Sequence, residues 1–246
     1  MSKEPASAAI EQGGLRFNWQ RYSANSKRRN ARLRRIEALL QKAKALYDNG
    51  DPGHDLAHVQ RVMAACERLG AREGASVEIL LAAAIFHDAV NLPKNHPERL
   101  DASRLAAEKS KIFLGECGFA ESEIERVATA ILEHSYSLGR KPSTIESAVL
   151  QDADRLDALG AVGIMRAVAC GSKMGAAFYD PLDLLAVDRS LDDKKFTIDH
   201  FFTKLFQLPR LMNTESARDE ADRRVEFMRQ FLSQLQSELA SPQAAG

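Results

Sequence analysis

Among the side chains of this 246-residue chain whose types can bind a divalent cation, four stand out: His58, His87, Asp88 and Asp154. Imidazole nitrogens and carboxylate oxygens serve that purpose, and helical proteins collect them from separate helices that face one interior cavity. His87-Asp88 ends the longest wholly apolar run of the chain, Ile79 to Phe86. A charged dipeptide there is costly unless something compensates it, and a bound cation would. Around Asp154, the stretch Val149 to Asp157 sets Asp152, Asp154 and Asp157 among apolar residues that belong to a core. Carboxylates so close repel one another unless a divalent ion, or a cation such as Arg155, neutralises them. His-Asp occurs twice, at His54-Asp55 and His87-Asp88, so the dipeptide alone decides nothing. Each residue taken singly reads equally well as a hydrogen-bonded buried polar group or a helix cap. The ordered set His, His-Asp, Asp on three separate helices is what points to one site.

The elements that must position these residues are helices. Leu33, Ile36, Leu40, Ala43 and Tyr47 recur three and four apart from about Lys27, and Asn49-Gly50 ends that run. Asp51-Pro52-Gly53-His54 turns the chain, and Asp55 is a good N-cap for a helix bearing His58, Val59, Val62, Met63, Cys66 and Leu69, closed by Gly70 or Gly74. Ser76 caps the next helix, whose apolar body predicts burial on every side and hence a central position. Residues 91–100, with two prolines, read as a loop. Further helices are predicted from Leu105 to Gly118, Glu121 to His134, Thr144 to Leu159 and Ala161 to Cys170. Gly171 to Asp193 is a long surface excursion with the reach of a lid. Phe201, Phe202, Leu205 and Phe206 mark a helix interrupted by Pro209, and Thr214 caps a last one through Leu239. No stretch alternates with period two for long enough to argue a sheet. The fold class is therefore all-α, a compact irregular helical domain over residues 27–240 preceded by a flexible basic arm, residues 1–26. Leu15, Phe17, Trp19 and Tyr22 sit oddly in such an arm, since aromatic clusters usually pack somewhere.

Composition excludes other classes. With 45% apolar and 28% charged residues, the chain is neither disordered nor of low complexity. The longest apolar run falls far short of the roughly 20 residues that span a bilayer. No basic start precedes an apolar stretch, so the expectation is a cytoplasmic protein without a membrane partner. Cys66, Cys117 and Cys170 lack the close pairing of disulfide or zinc frameworks and read as buried helix residues. The net charge of zero is unevenly divided. Residues 1–35 hold nine basic and two acidic side chains, a net +7 balanced by −7 in the rest. Such an arm is a solvated tail or an electrostatic handle for RNA or an acidic surface.

The pattern His58, His87-Asp88, Asp154 resembles the HD superfamily of metal-dependent phosphohydrolases. The resemblance extends to Phe86 through Asn95, Gln151 through Gly160, His200 through Leu205, and Met212-Asn213-Thr214, which are similar to the bacterial YedJ/YpgQ-like branch. It covers roughly residues 30 to 235. It implies an all-helical domain with a metal at its centre, held by His58, His87, Asp88 and Asp154. Members with two metals supply additional histidines between the HD pair and the final Asp, where this chain has only His96 and His134, so one divalent ion is expected. Mixed nitrogen and oxygen donors suit Mn, Fe, Co, Ni or Mg. Asp88 and His134 are the candidate catalytic residues. His134 is either a proton donor on the substrate side or a cation favoured by a helix C-terminus. Where several branches carry a catalytic acid after the HD pair, this chain reads Ala89-Val90-Asn91. Phosphate substrates need cations; Lys94 and Arg99 are the leading candidates, with His200 and Lys204 four apart on a helical face. Arg155 reads better as a local partner of Asp152 or Asp157. The implied activity is hydrolysis of a phosphorylated small molecule, a nucleotide above all, with nucleoside triphosphate pyrophosphohydrolysis first. The alternative is a regulatory or RNA-associated protein on the same scaffold with a structural or silent metal site.

Overall fold

The computed structural model describes residues 27–47, 55–90, 101–135 and 139–239. The N-terminal arm and the loop carrying Lys94, His96 and Arg99 lie outside the described residues. The described chain is all-α. Its elements are α1 (Lys27–Ala43), α2 (Leu56–Glu73), α3 (Val77–Phe86), α4 (Ala102–Glu116), α5 (Glu121–Glu133), α6 (Ile145–Asp157), α7 (Gly160–Lys173), α8 (Asp199–Thr203) and α9 (Glu215–Leu239). Strands are absent among the described residues apart from one isolated bridge between Ala177 and Phe196. None of these helices is long and apolar enough to cross a membrane.

The central helix is α3. Every residue from Ile79 to Phe86 is buried, because α1, α2, α4, α5 and α6 all pack against it. Burying an aliphatic or aromatic side chain contributes roughly 1.5–3 kcal/mol, so this short helix is held by its surroundings more than by its own length. The approach of α2 is close. A Cβ on Gly70 would lie 2.4 Å from Leu80 Cδ1, which is why the smallest residue stands there. Gly74 then ends α2 at φ 70°, a backbone conformation that side chains disfavour.

Three carboxylates on α6 are accommodated in three different ways. Asp152, fully buried, accepts hydrogen bonds from Asn213 N at 2.9 Å, Asn213 Nδ2 at 2.9 Å, Thr214 N at 2.8 Å and Thr214 Oγ1 at 2.8 Å. It thereby fixes the start of α9, and the Thr214 hydroxyl spends itself on this bond. Arg155 stands 3.6 Å from Asp152 and donates to the Leu211 carbonyl at 2.7 Å, the local role expected of it. Asp154 and Asp157 serve the site described below.

Several details differ from the sequence reading. Helix α7 runs on through Lys173, so the surface excursion occupies 174–198. It is stapled: Arg189 donates to both oxygens of Asp199, at 2.6 and 2.8 Å, and the Asp192 amide donates to Asp199 at 2.7 Å. Pro209 interrupts no α-helix. It sits inside a 3-10 segment, Leu205–Leu211, that follows the five-residue α8. Of the three cysteines only Cys66 is buried; Cys117 is partly exposed and Cys170 exposed, because α7 presents that face to solvent.

Replacing Asp152 by Ala removes the acceptor of four donors, among them the buried amide and hydroxyl of Thr214. The expected loss is at least about 3 kcal/mol of unfolding free energy, with Asp152→Asn losing less because one acceptor oxygen remains. Urea denaturation of the two variants measures the difference.

Candidate metal centre

Local structure delivers each donor. Asp55 accepts from the His58 amide at 2.8 Å and caps α2, so His58 sits in the first turn. His87 and His134 each stand one residue past the C-terminus of their helix, α3 and α5. Each folds its ring back so that Nδ1–H donates to a carbonyl three residues earlier: His87 to Ala84 at 2.9 Å and His134 to Ile131 at 2.6 Å. These carbonyls belong to the last turn, where the regular helical donors run out; that of Ile131 also accepts from the His134 amide at 3.4 Å. The same bond fixes the tautomer and turns Nε2 inward. His58 achieves this through Asp157, whose Oδ2 accepts from Nδ1 at 2.7 Å.

The Nε2 atoms of His58 and His87 stand 3.1 Å apart. With Nδ1 protonated in both rings, two lone pairs would confront each other at that distance, so something positive has to lie between them, a proton or a cation. Carboxylates complete the ring. Asp88 Oδ2 is 3.5 Å from both Nε2 atoms, and Asp154 Oδ1 is 3.6 Å from that of His58 and 3.9 Å from that of His87. Around a cation with bonds of about 2.1 Å, neighbouring donors are about 3.0–3.5 Å apart, so the cluster has the size of a divalent ion. The donor set, mixed nitrogen and oxygen, also fits one. The other Asp88 oxygen, Oδ1, lies 3.5 Å from His134 Nε2, which places His134 beside the cluster and joins it through Asp88. The His58 and His87 side chains are completely buried, whereas Asp88 is 22% and Asp154 27% exposed. Access is therefore from the carboxylate side.

The titration behaviour follows from this geometry. Burial alone would lower the His58 pKa, but the hydrogen bonds to Asp157 and Asp88 and the charges of Asp154 and Asp88 outweigh it and raise it to about 9. His87, wholly buried and next to two other imidazoles, goes the other way despite Asp88 and Asp154. The carboxyl of Asp88 is held well below its ordinary range, the three imidazoles overcoming its burial. In the metal-free protein a proton on His58 Nε2 therefore points at the lone pair of His87.

The structure brings His58, His87, Asp88, His134 and Asp154 together. Of the other candidates, Lys94 and Arg99 lie outside the described residues. His200 Nδ1 is paired with Asp193 Oδ2 at 3.0 Å, beside Thr203, on the surface excursion; Lys204 ends α8. Sequence reasoning passed over Arg61 and Arg166, both of which reach Asp157. Arg61 stands three residues after His58 and so shares its helix face, a signal that was available; Arg166 on α7 left none.

Comparison with known proteins accords with this geometry. The HD domain family matches residues 55–159, from the cap of α2 to the end of α6. YpgQ of Bacillus subtilis (strain 168) is 32% identical over 211 residues, covering 84% of this chain and 95% of that protein. The chain belongs to the HD superfamily. A crystal structure of B. subtilis YpgQ in complex with ADP is similar over 88% of this chain and 100% of that one, with 30% identity and a TM-score of 0.67. An HD-superfamily hydrolase from Bacillus thuringiensis is similar over 84% and 97%, with 31% identity and a TM-score of 0.66. The fold of this chain thus recurs in both solved structures.

Nitrogen-15 NMR of the chelator-treated protein at pH 7 should show His87 neutral with its proton on Nδ1. A proton on Nε2 instead would mean the ring is turned over and the Ala84 bond is not made.

Proposed function

We propose that this HD-superfamily hydrolase is a phosphohydrolase that uses one divalent ion, Mn, Fe, Co, Ni or Mg, held by His58, His87, Asp88 and Asp154, and that its substrate is a nucleotide. The observation that carries the reading is the pair of Nε2 atoms 3.1 Å apart, flanked by two carboxylates that are open to solvent. Such an ion, when bound, lowers the pKa of a coordinated water and draws charge from a phosphoryl oxygen. The chain's own part is to hold and orient. The buried imidazoles anchor the inner side, and Asp88 turns Oδ2 to them while Oδ1 faces His134 Nε2. His134 is the proton donor to the leaving oxygen, its Nε2–H poised by Asp88 and its ring fixed by Ile131. Asp88 orients the attacking water, the stretch Ala89-Val90-Asn91 offering no carboxylate for that work. Lys94, Arg99, His200 and Lys204 are proposed to meet the phosphates. Support for a nucleotide comes from YpgQ, which has been crystallised with ADP; a nucleoside triphosphate cleaved to pyrophosphate is the first candidate.

The test is a panel of nucleotides and simple phosphoesters assayed with Mn, Mg, Co and Ni, following phosphate and pyrophosphate separately. Turnover should require metal and vanish in His87→Ala. His134→Gln should retain metal and lose at least about a hundredfold in kcat, the usual scale of a general acid. No turnover across the panel at confirmed metal occupancy overturns the reading in favour of a binding protein with a silent site.

Occupancy itself has a second readout. A ligand that binds only the folded state stabilises it by about 2.7 kcal/mol at a hundred times its Kd. Added Mn should raise the unfolding temperature of the chelator-treated protein and leave that of His87→Ala unmoved.

A further inference from the structure

Behind His58, away from the cluster, lies a group of charges that the reaction does not touch. Asp157 is almost wholly buried, yet four donor atoms converge on it. Arg61 Nε donates to Oδ1 at 2.7 Å and Arg61 Nη2 to Oδ2 at 3.0 Å. Arg166 Nη1 donates to the same Oδ2, and His58 Nδ1 reaches it at 2.7 Å. Arg166 Nη1 also stands 3.2 Å from His58 Nδ1. Asp154 and Asp157 are one helical turn apart on α6 and grip His58 from opposite sides, Asp154 near Nε2 at 3.6 Å and Asp157 at Nδ1. The guanidiniums come from other helices, Arg61 from α2 and Arg166 from α7.

We infer that Asp157, clamped by Arg61 and Arg166, is a positioning residue that fixes the ring orientation and the Nδ1–H tautomer of His58 and so presents Nε2 to the cation. His58 needs this where His87 and His134 do not. They stand at helix ends beside last-turn carbonyls that accept from Nδ1–H, whereas His58 lies in the first turn of α2, where free backbone groups are N–H donors and offer Nδ1–H no acceptor. The acceptor must then come from another helix. A carboxylate in that place raises the basicity of the ligating nitrogen through the ring. A lone buried carboxylate would be costly and free to rotate; the two-point contact with Arg61 sets its plane, and Arg166 binds the oxygen that faces His58. The alignment therefore couples α7, which lies outside the matched segment 55–159, to the metal centre.

This inference rests on the metal reading of the cluster. Its test measures Mn binding to the chelator-treated full-length protein by electron paramagnetic resonance and calorimetry, with cooperative thermal unfolding as the check of folding. Asp157→Ala should weaken Mn binding by about 10–100-fold. Asp157→Asn keeps an acceptor oxygen without the charge and should lose less, as should Arg166→Gln, which leaves Arg61 in place. The Asp157 variants should also lose the strongly deshielded His58 Nδ1 proton in the metal-free NMR spectrum, a signature that general loosening of the fold would not selectively remove. If Asp157→Ala does not fold, Asp157→Asn and Arg166→Gln decide. Wild-type Mn affinity in the folded Asp157 variants, alongside no binding by His87→Ala, overturns the positioning role and leaves the metal reading standing. Absence of Mn binding by the wild type overturns both.

Discussion

The confrontation of two imidazole nitrogens at 3.1 Å is the constraint from which the rest of this structure can be read. Neither ring can retreat. His58 is tied to Asp157 and His87 to the carbonyl of Ala84, and both are shut off from water. The positive charge demanded between them explains why carboxylates gather at a place that is otherwise apolar. It also explains the divergence of the two pKa values: with a single proton available to the pair, one ring is driven basic and the other neutral. The fold's investment in α3, surrounded by five other helices, is what makes this confrontation rigid, since its buried body sets the position of His87 and Asp88 at its end.

Helix α6 shows how one short segment can serve three ends. Asp152 looks toward α9 and captures the amides before it, Asp154 looks toward the histidines, and Asp157 looks toward α2 and α7. Each is compensated by a different kind of positive group: backbone amides, imidazoles, guanidiniums. Because all three hang from the same three turns, a shift that disturbed the packing of α9 would be felt at Asp154, two residues along. The α6 register is thus fixed from both sides of the site, and the geometry of Asp154 is inherited from contacts that are not themselves catalytic.

Much of this was legible in the residues. The Ile79 to Phe86 run has no helical periodicity to orient it, and that very lack placed it at the centre. The order of His58, His87-Asp88 and Asp154 located the cluster, because helix ends and capping residues are local signals. Asp152, Asp154 and Asp157 of α6 were recognisable as a group, but their separate partners were not: Asn213, Thr214 and Arg166 arrive from distant parts of the chain, and no local pattern announces a tertiary hydrogen bond. The same holds for the ring partner of His200: Asp193 lies on an excursion whose path is set by Arg189 gripping Asp199.

The distribution of exposure argues for a working site over a purely structural one. Structural metal sites are closed by protein ligands on every side, whereas catalytic ones keep a position open. Here the nitrogens are sealed and the two carboxylates lie at the rim, so any further position around the ion faces the side from which water and substrate arrive. His134, itself buried, is linked to that rim through the Asp88 oxygen that does not face His58 and His87. A silent site would gain nothing from a third imidazole whose ring is locked at Nδ1 and whose remaining nitrogen is held beside a ligand without joining the inner pair. Placing a proton-carrying group next to an open position, at one carboxylate's remove from the ion, is what hydrolysis requires and what mere retention of a metal does not.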